Sequence, residues 1–447
     1  MPNEPLNFLD NKLRSSARVN AMRTSHPAGG GDGTVKLYGH SASREAYEIR
    51  DLLQRSVVQF EWVELSQTPG ALSELGVWPG EKQALPVVEL PDGTRLHAPS
   101  LQEVANSLGW VTTPRRREYD LSIYGAGPAG LSAAVYAASE GIKAVVVERH
   151  AVGGQAGSSS LIENYMGFPE GISGARLAER ARQQAVKFGV DFLMLNAGVR
   201  AVFKDSRIHV DLSNGEQLVA RANLCATGVE YRRLALPEEG EFLGKGLYYG
   251  AGAGEAPMSQ GEHVVVIGGG NGALQAAMYF SEYASKVSVL VRTSTLNGMA
   301  SRYLIDRIEQ AGNVEVELDA EATALLGNGA LQAVEVTNHR RHTVRTIDTR
   351  RVYACIGGVP NTEWAKDTPI ARDPHGYLIT GPDLLNVPGA TALWPLKHPP
   401  FFLETSVPGS FAAGDVRAGS VKRAVTAAGE GAMAVTFIHR YLHQTRQ

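Results

Sequence analysis

Three glycines spaced Gly125-x-Gly127-x-x-Gly130 follow the apolar run 121–124 and open an alanine-rich stretch. Eighteen residues past the last of them, Glu148 and Arg149 close a second apolar run. The order is strand, glycine turn, helix and strand, and its chemistry is the capture of a diphosphate. Gly125 permits the tight turn, Gly127 lets the backbone approach the phosphates, Pro128 and Ala129 begin the helix, and Gly130 lets that helix pack closely on the strands. Free N–H groups and the positive end of the helix dipole favour an anion there without a basic side chain. Glu148, at the strand tip beside Arg149, is placed to accept hydrogen bonds from the hydroxyls of an adenosine ribose.

The pattern recurs at Val264-Val-Val-Ile-Gly268-Gly-Gly270-Asn271-Gly-Ala273, with alanine in the third small position, and its second strand ends in Arg292. An acid at that tip would hold a ribose 2′-hydroxyl, whereas Arg292 suits a 2′-phosphate, which favours NADPH over NADH. Two dinucleotide sites in one chain imply a nicotinamide nucleotide serving a second dinucleotide.

The elements that position these turns must come from a chain of 447 residues, long enough for about three domains, and 43% apolar content is ample for several cores. With 43 basic and 46 acidic residues there is no charge excess to draw nucleic acid or an anionic membrane. Two cysteines, Cys225 and Cys355, argue against a disulfide-stapled secreted protein and fit a reducing cytoplasm. The apolar stretch 121–147 contains glycine turns, Glu140 and Lys143, so it reads as a buried α/β core rather than a membrane span. Arg115-Arg116-Arg117 reads as a solvated linker, and Asn338-His-Arg-Arg-His342 as a solvated hairpin tip with no further ligand at metal-site spacing. No metal site is expected.

Residues 1–33 are polar and glycine-rich and read as a flexible tail without a signal peptide. From 34 to 112 the pattern predicts a strand at 35–38, a helix ending at 53, a strand at 60–65, a strand at Leu85-Pro86-Val87-Val88, and a helix opening at Ser100 with Glu103 as its capping box. This order resembles the thioredoxin and glutaredoxin fold, with Pro86 in the place of that family's cis-proline. Its redox CxxC would fall on Ser43-Arg44-Glu45-Ala46, where neither end is cysteine. The resemblance therefore implies an adaptor rather than a redox relay.

Beyond the first glycine turn come Gly153-Gly154-Gln155, Ile162-Glu-Asn164, Cys225-Ala-Thr227-Gly228, Ala413-Gly414-Asp415 and Lys422-Arg423-Ala424. Together these resemble the low-molecular-weight thioredoxin reductase family of flavoproteins, which implies FAD at the first turn and NADPH (or NADH) at the second. The resemblance places Gly154, Gln155 and Asn164 along the flavin cleft, Thr227 and Gly228 in a turn against the dinucleotide, and Asp415, after Gly414, on a ribitol hydroxyl. A helix starting near Arg423 and Ala424, after Lys422, would aim its dipole at the flavin pyrimidine edge. The resemblance also implies a homodimer. The expected fold class is α/β, with two Rossmann-like dinucleotide-binding domains preceded by a thioredoxin-like α/β domain. The FAD domain is expected at 119–235 and 357–447, with the NAD(P)H domain inserted at 236–356 and hinges near 231–246 and 356–360.

In thioredoxin reductases the redox CxxC follows a Gly-x-Gly, here Gly244-Lys-Gly246, and its place is taken by Gly250-Ala251-Gly252-Ala253. Open space is expected there, bordered by Tyr248 and Tyr249 unless these only pack. Three readings follow. The leading one is an NAD(P)H-dependent FAD oxidoreductase whose flavin passes electrons directly to an external acceptor, a small molecule or a redox protein. The others are a disulfide reductase acting on the substrate's own disulfide without internal cysteines, and a non-catalytic flavin-based redox sensor.

Overall fold

The computed structural model describes residues 34–445 apart from 69, 78–83, 111–112, 251, 253 and 388–393. The expected tail, 1–33, lies outside the described residues.

The N-terminal unit contains β1 (Val35–Gly39), α1 (Arg44–Arg55), β2 (Phe60–Glu64), α2 (Ala71–Glu74), β3 (Val87–Glu89), β4 (Arg95–His97) and α3 (Leu101–Ser107). Its sheet order is β2-β1-β3-β4, with β1 parallel to β2 and antiparallel to β3. Buried Val35 and Leu37 alternate with less buried Lys36 and Tyr38, the period of a strand with one face in a core. Ser43 caps α1 by accepting from the Ala46 N–H, and Ala46, Ile49, Arg50 and Leu53 form its buried stripe. The expected capping box at Ser100 and Glu103 is present, and the Leu85–Pro86 peptide is cis.

Six strands of a seven-stranded sheet follow, with their helices: β5 (Tyr119–Tyr124), α4 (Pro128–Ser139), β6 (Ala144–Glu148), α5 (Gly174–Lys187), β7 (Asp191–Met194), β8 (Gly198–Lys204), β9 (Arg207–Leu212) and β10 (Gln217–Cys225). Its order is β7-β6-β5-β10-β9-β8. Every residue of β6 is buried, as a parallel strand covered on both faces must be. One face meets α4 and the C-terminal helix, and the other meets apolar residues of β9 and β10. The 121–147 stretch is thus β5-α4-β6, and no helix among the described residues is long and apolar enough to cross a membrane.

The chain leaves this sheet through β11 (Val229–Tyr231) and then forms α6 (Glu239–Phe242), β12 (Leu247–Tyr249), β13 (His263–Ile267), α7 (Asn271–Ser281), β14 (Lys286–Val291), α8 (Arg302–Gln310) and β15 (Val314–Leu318). Next come β16 (Ala320–Gly327), β17 (Leu331–Asn338), β18 (Thr343–Asp348) and β19 (Arg351–Ala354). The chain returns by β20 (Gly358–Pro360), which pairs antiparallel with β11. A parallel sheet, β12-β19-β13-β14-β15, carries a three-stranded antiparallel layer, β16-β17-β18. Residues 343–354 divide into two strands in different sheets. The Thr349 hydroxyl explains the break: it donates to the His263 carbonyl (2.7 Å) and accepts from the Arg351 N–H (3.0 Å), turning the chain between layers. The short β21 (Ser410–Ala412) then pairs with β10, and α9 (Ala424–Gln444) completes the fold.

Helix α1 packs on both larger units. Arg50, 2% exposed, makes a bidentate pair with Glu255 of the insert at 2.8–3.0 Å, while its guanidinium lies 4.7 Å from the Trp62 ring. Tyr47 meets Tyr248 with ring centroids 5.0 Å apart. Arg50→Ala should cost about 3 kcal/mol by leaving the buried Glu255 carboxylate with Arg351 alone, at 3.8 Å, while Arg50→Met with Glu255→Leu should recover most of the loss. Denaturant unfolding of the three proteins measures this, with fluorescence following the tyrosine-rich seam.

Candidate functional site

The first glycine turn closes on backbone contacts. Gly125 (φ +102°) donates its N–H to the Val147 carbonyl (2.9 Å), and a Cβ there would overlap the carbonyl of Ala226 at the end of β10. A Cβ on Gly130 would overlap the Gly125 carbonyl, so α4 seats directly on the turn. Gly127, the N-cap of α4, differs: the nearest atom to an added Cβ is the Gly154 Cα at 3.9 Å. Gly154 (φ +54°) in turn would place a Cβ 3.1 Å from the Gly127 Cα. Two bare backbones therefore face each other beside the N-terminus of α4, with Pro128 and Ala129 in its first turn.

Glu148 is 7% exposed and accepts from the N–H groups of Ala126 and His150, both at 2.7 Å, so it braces the loop. Arg149 pairs with Glu230 of β11. Gln155 donates to the Val229 carbonyl (2.9 Å), and Asn164 is exposed. The Thr227 hydroxyl donates to the Asn361 carbonyl (3.1 Å), tying Gly228 (φ +62°) to the returning chain. Gly414 donates to Glu430, which Arg417 neutralises, and the neighbouring Asp415 carboxylate has no hydrogen-bond partner among the described residues. Burial pushes the Asp415 carboxyl above its ordinary range. Lys422 lies 4.3 Å from the Tyr377 ring and donates to the Asp415 carbonyl, and α9 begins at Ala424 with Arg423 as its N-cap.

The second turn repeats the logic. Gly268 (φ +134°) donates to the Leu290 carbonyl, and a Cβ on it would overlap the Cys355 carbonyl at the end of β19. The nearest atom to a Cβ on Gly270 would be the Met299 carbonyl at 3.9 Å. Ala273 is fully buried under the turn. Asn271 is engaged with Ser301, accepting its N–H at 2.7 Å. Arg292 stands just beyond β14, exposed and without an ion pair among the described residues.

At Gly250 and Gly252 the structure corrects the expectation of open space. Ala251 and Ala253 lie outside the described residues. A Cβ on Gly250 (φ +95°) would overlap the Tyr231 hydroxyl, and one on Gly252 (φ +58°) would overlap the Tyr353 ring. Tyr248 packs as a core residue, stacked on Tyr353 at 5.1 Å, and the Tyr249 hydroxyl accepts from the Leu234 N–H. Both cysteines are free, and burial pushes each thiol up to about 12, so neither supplies thiolate near neutral pH. The Cys355 thiol donates to the Gly250 carbonyl at 3.3 Å, a contact across the insert that local sequence does not announce.

The model of the family described as pyridine nucleotide-disulphide oxidoreductase matches residues 119–431. The chain belongs to this family. Thioredoxin reductase of Treponema pallidum is 33% identical over 328 residues, 73% of this chain and 97% of that one. Thioredoxin reductase 1 of Saccharomyces cerevisiae is 31% identical over 331 residues, 72% of this chain and 97% of that one. Lactococcus lactis thioredoxin reductase, in its FR conformation, superposes with a TM-score of 0.65 at 26% identity, covering 73% of this chain and 99% of that one. The family uses FAD and NADPH, and this member is an FAD-dependent oxidoreductase.

The residues fit those groups. Bare backbone at Gly127 and Gly154, in contact with each other beside the N-terminus of α4, lets a diphosphate approach closely, and the unpartnered Asp415 carboxylate suits a hydroxyl donor. Gly127 and Gly130 should therefore respond oppositely. Gly127→Ala should unfold within about 0.5 kcal/mol of wild type yet lose FAD, whereas Gly130→Ala should lose about 1–3 kcal/mol or more of stability. Thermal unfolding of flavin-free protein beside an FAD titration separates the two.

Proposed function

We propose that this protein is an NAD(P)H-dependent FAD oxidoreductase that passes electrons from reduced flavin directly to an external acceptor, without a protein disulfide. When bound, NAD(P)H supplies a hydride and FAD stores the electron pair. The chain's own residues hold and shield: Gly125, Gly127, Gly130 and Gly154 shape the FAD slot, Asp415 accepts from a ribitol hydroxyl, and Gly268, Gly270 and Ala273 shape the nicotinamide nucleotide's slot. The observation that carries the thiol-free reading is the packing of Gly250 and Gly252 against Tyr231 and Tyr353, in a chain where burial pushes both thiols up to about 12. Reorientation of the insert about its two crossings would bring each nucleotide to the flavin in turn. The N-terminal unit acts as an adaptor of thioredoxin-like fold, and two copies form a homodimer, as the family resemblance implies.

Anaerobic titration of the yellow protein with NADPH and NADH, followed by small-molecule and redox-protein acceptors, tests this reading. Cys225→Ser with Cys355→Ser should keep both flavin reduction and acceptor turnover, and thioredoxin should not be reduced. Thioredoxin turnover on the order of 1 s⁻¹ or faster, lost in the serine variant, would establish a thiol relay instead.

Arg292 carries the proposed preference for NADPH. A charge-assisted contact to a 2′-phosphate contributes about 1.5–3 kcal/mol. Arg292→Ala should weaken NADPH roughly ten- to a hundredfold and leave NADH almost unchanged. Stopped-flow flavin reduction over a range of each nucleotide measures both affinities, and equal losses would assign the arginine to packing.

A further inference from the structure

Arg55 ends α1 in the N-terminal unit, outside the region 119–431 that the family model matches, yet its hydrogen bonds reach the FAD-side loop. Its Nη2 donates to the carbonyls of Gly154 (2.9 Å) and Ala151 (3.3 Å), while Nη1 lies 3.4 Å from Asp51 on its own helix. Its Nε is buried without a hydrogen-bond partner, and a Cβ on Gly157 would stand 3.8 Å from it.

The stretch 151–154 forms a wall that touches Gly127 beside the N-terminus of α4. Gly153 (φ +106°) and Gly154 (φ +54°) both occupy left-handed backbone, where glycine has the most freedom to lose. Inside the wall, Gly153 donates to the Ala126 carbonyl at 2.7 Å. On the outer side, Arg55 holds two carbonyls. A trans peptide is planar with C=O and N–H opposed, so fixing the carbonyls of Ala151 and Gly154 on Arg55 turns the N–H groups of Val152 and Gln155 away from α1. The same contact leaves a guanidinium charge behind a loop that faces an anion.

We propose that Arg55 is a positioning residue of the FAD site, supplied by the N-terminal unit, and that FAD binding and docking of α1 are thermodynamically linked. The inference rests on the reading of 125–130 and 153–155 as the FAD slot. The linkage is reciprocal: whatever α1 docking contributes to FAD affinity, FAD returns to α1 docking.

The test uses the full chain, freed of flavin and titrated with FAD, with amide hydrogen exchange read over 46–55. In wild type, FAD should slow exchange in α1. In Arg55→Ala, FAD affinity should fall about tenfold and exchange in α1 should become indifferent to FAD. Arg55→Lys keeps the charge and a donor but cannot repeat the forked geometry, so it should recover part of the affinity, and it serves if the alanine variant does not fold. Arg44→Ala, which removes an exposed pair with Glu48 on the same helix, should match wild type in both readouts. Affinity within twofold of wild type in the Arg55 variants, or FAD-insensitive exchange in wild-type α1, overturns the proposal. A wild-type chain that binds no FAD overturns the reading of the slot beneath it.

Discussion

The contact on which both dinucleotide slots depend is the approach of a glycine to the first carbonyl beyond a neighbouring strand. Gly125 lies against Ala226 and Gly268 against Cys355, in each case with no room for a Cβ. Each approach ends a parallel strand early and turns the chain into a helix whose first N–H groups are left free. Hydrophobic burial sets the sheets, but this steric fit sets where the helices α4 and α7 point, and therefore where an anion can lie. The open glycines, Gly127 and Gly270, have meaning only because the first glycines of their turns are tight.

The seam between the units follows a different physics. Tyr47, Tyr248, Tyr353 and Phe280 form a continuous aromatic stack with centroid spacings of 5.0, 5.1 and 4.2 Å, and the bidentate Arg50–Glu255 pair is buried beside it. Aromatic contacts of this kind contribute about 0.5–1.5 kcal/mol each beyond their burial. Tyr231 and Tyr353 pack against Gly250 and Gly252, with the polar hydroxyl of Tyr231 held by Ser158 at 3.0 Å.

Much of this was legible in the sequence. The two glycine turns, the strands beside them and the capping box at Ser100 follow from local pattern, because backbone sterics and capping are local rules, whereas the start of α9 was implied by the family resemblance. The strands β8, β9 and β16 were not read, since half-exposed antiparallel strands carry a weaker apolar signal than buried parallel ones. The division of 343–354 was hidden because it hangs on one hydroxyl, Thr349, whose acceptor at His263 is remote in sequence. Arg50 and Arg55 look like ordinary solvated residues of an amphipathic helix. Their partners, Glu255, Ala151 and Gly154, lie about a hundred or more residues away, and no periodicity links such positions. The filled space beside Gly250 was misread for the same reason: a missing side chain suggests a gap, whereas a packed interior closes around it.

The two crossings, β11 and β20, are sewn together as an antiparallel ribbon, with Val229 opposite Pro360 and Tyr231 opposite Gly358. Two separate hinges would allow the insert to slide, tilt and turn, but a ribbon resists stretching and shear far more than torsion. The insert is thus mounted on a single twisting axle. Helix α1 grips both bodies beside that axle, at Glu255 on one and Gly154 on the other, and so adds fixed points to the ribbon itself. A modest number of contacts on α1 can therefore hold an angular position that the ribbon alone would leave loose.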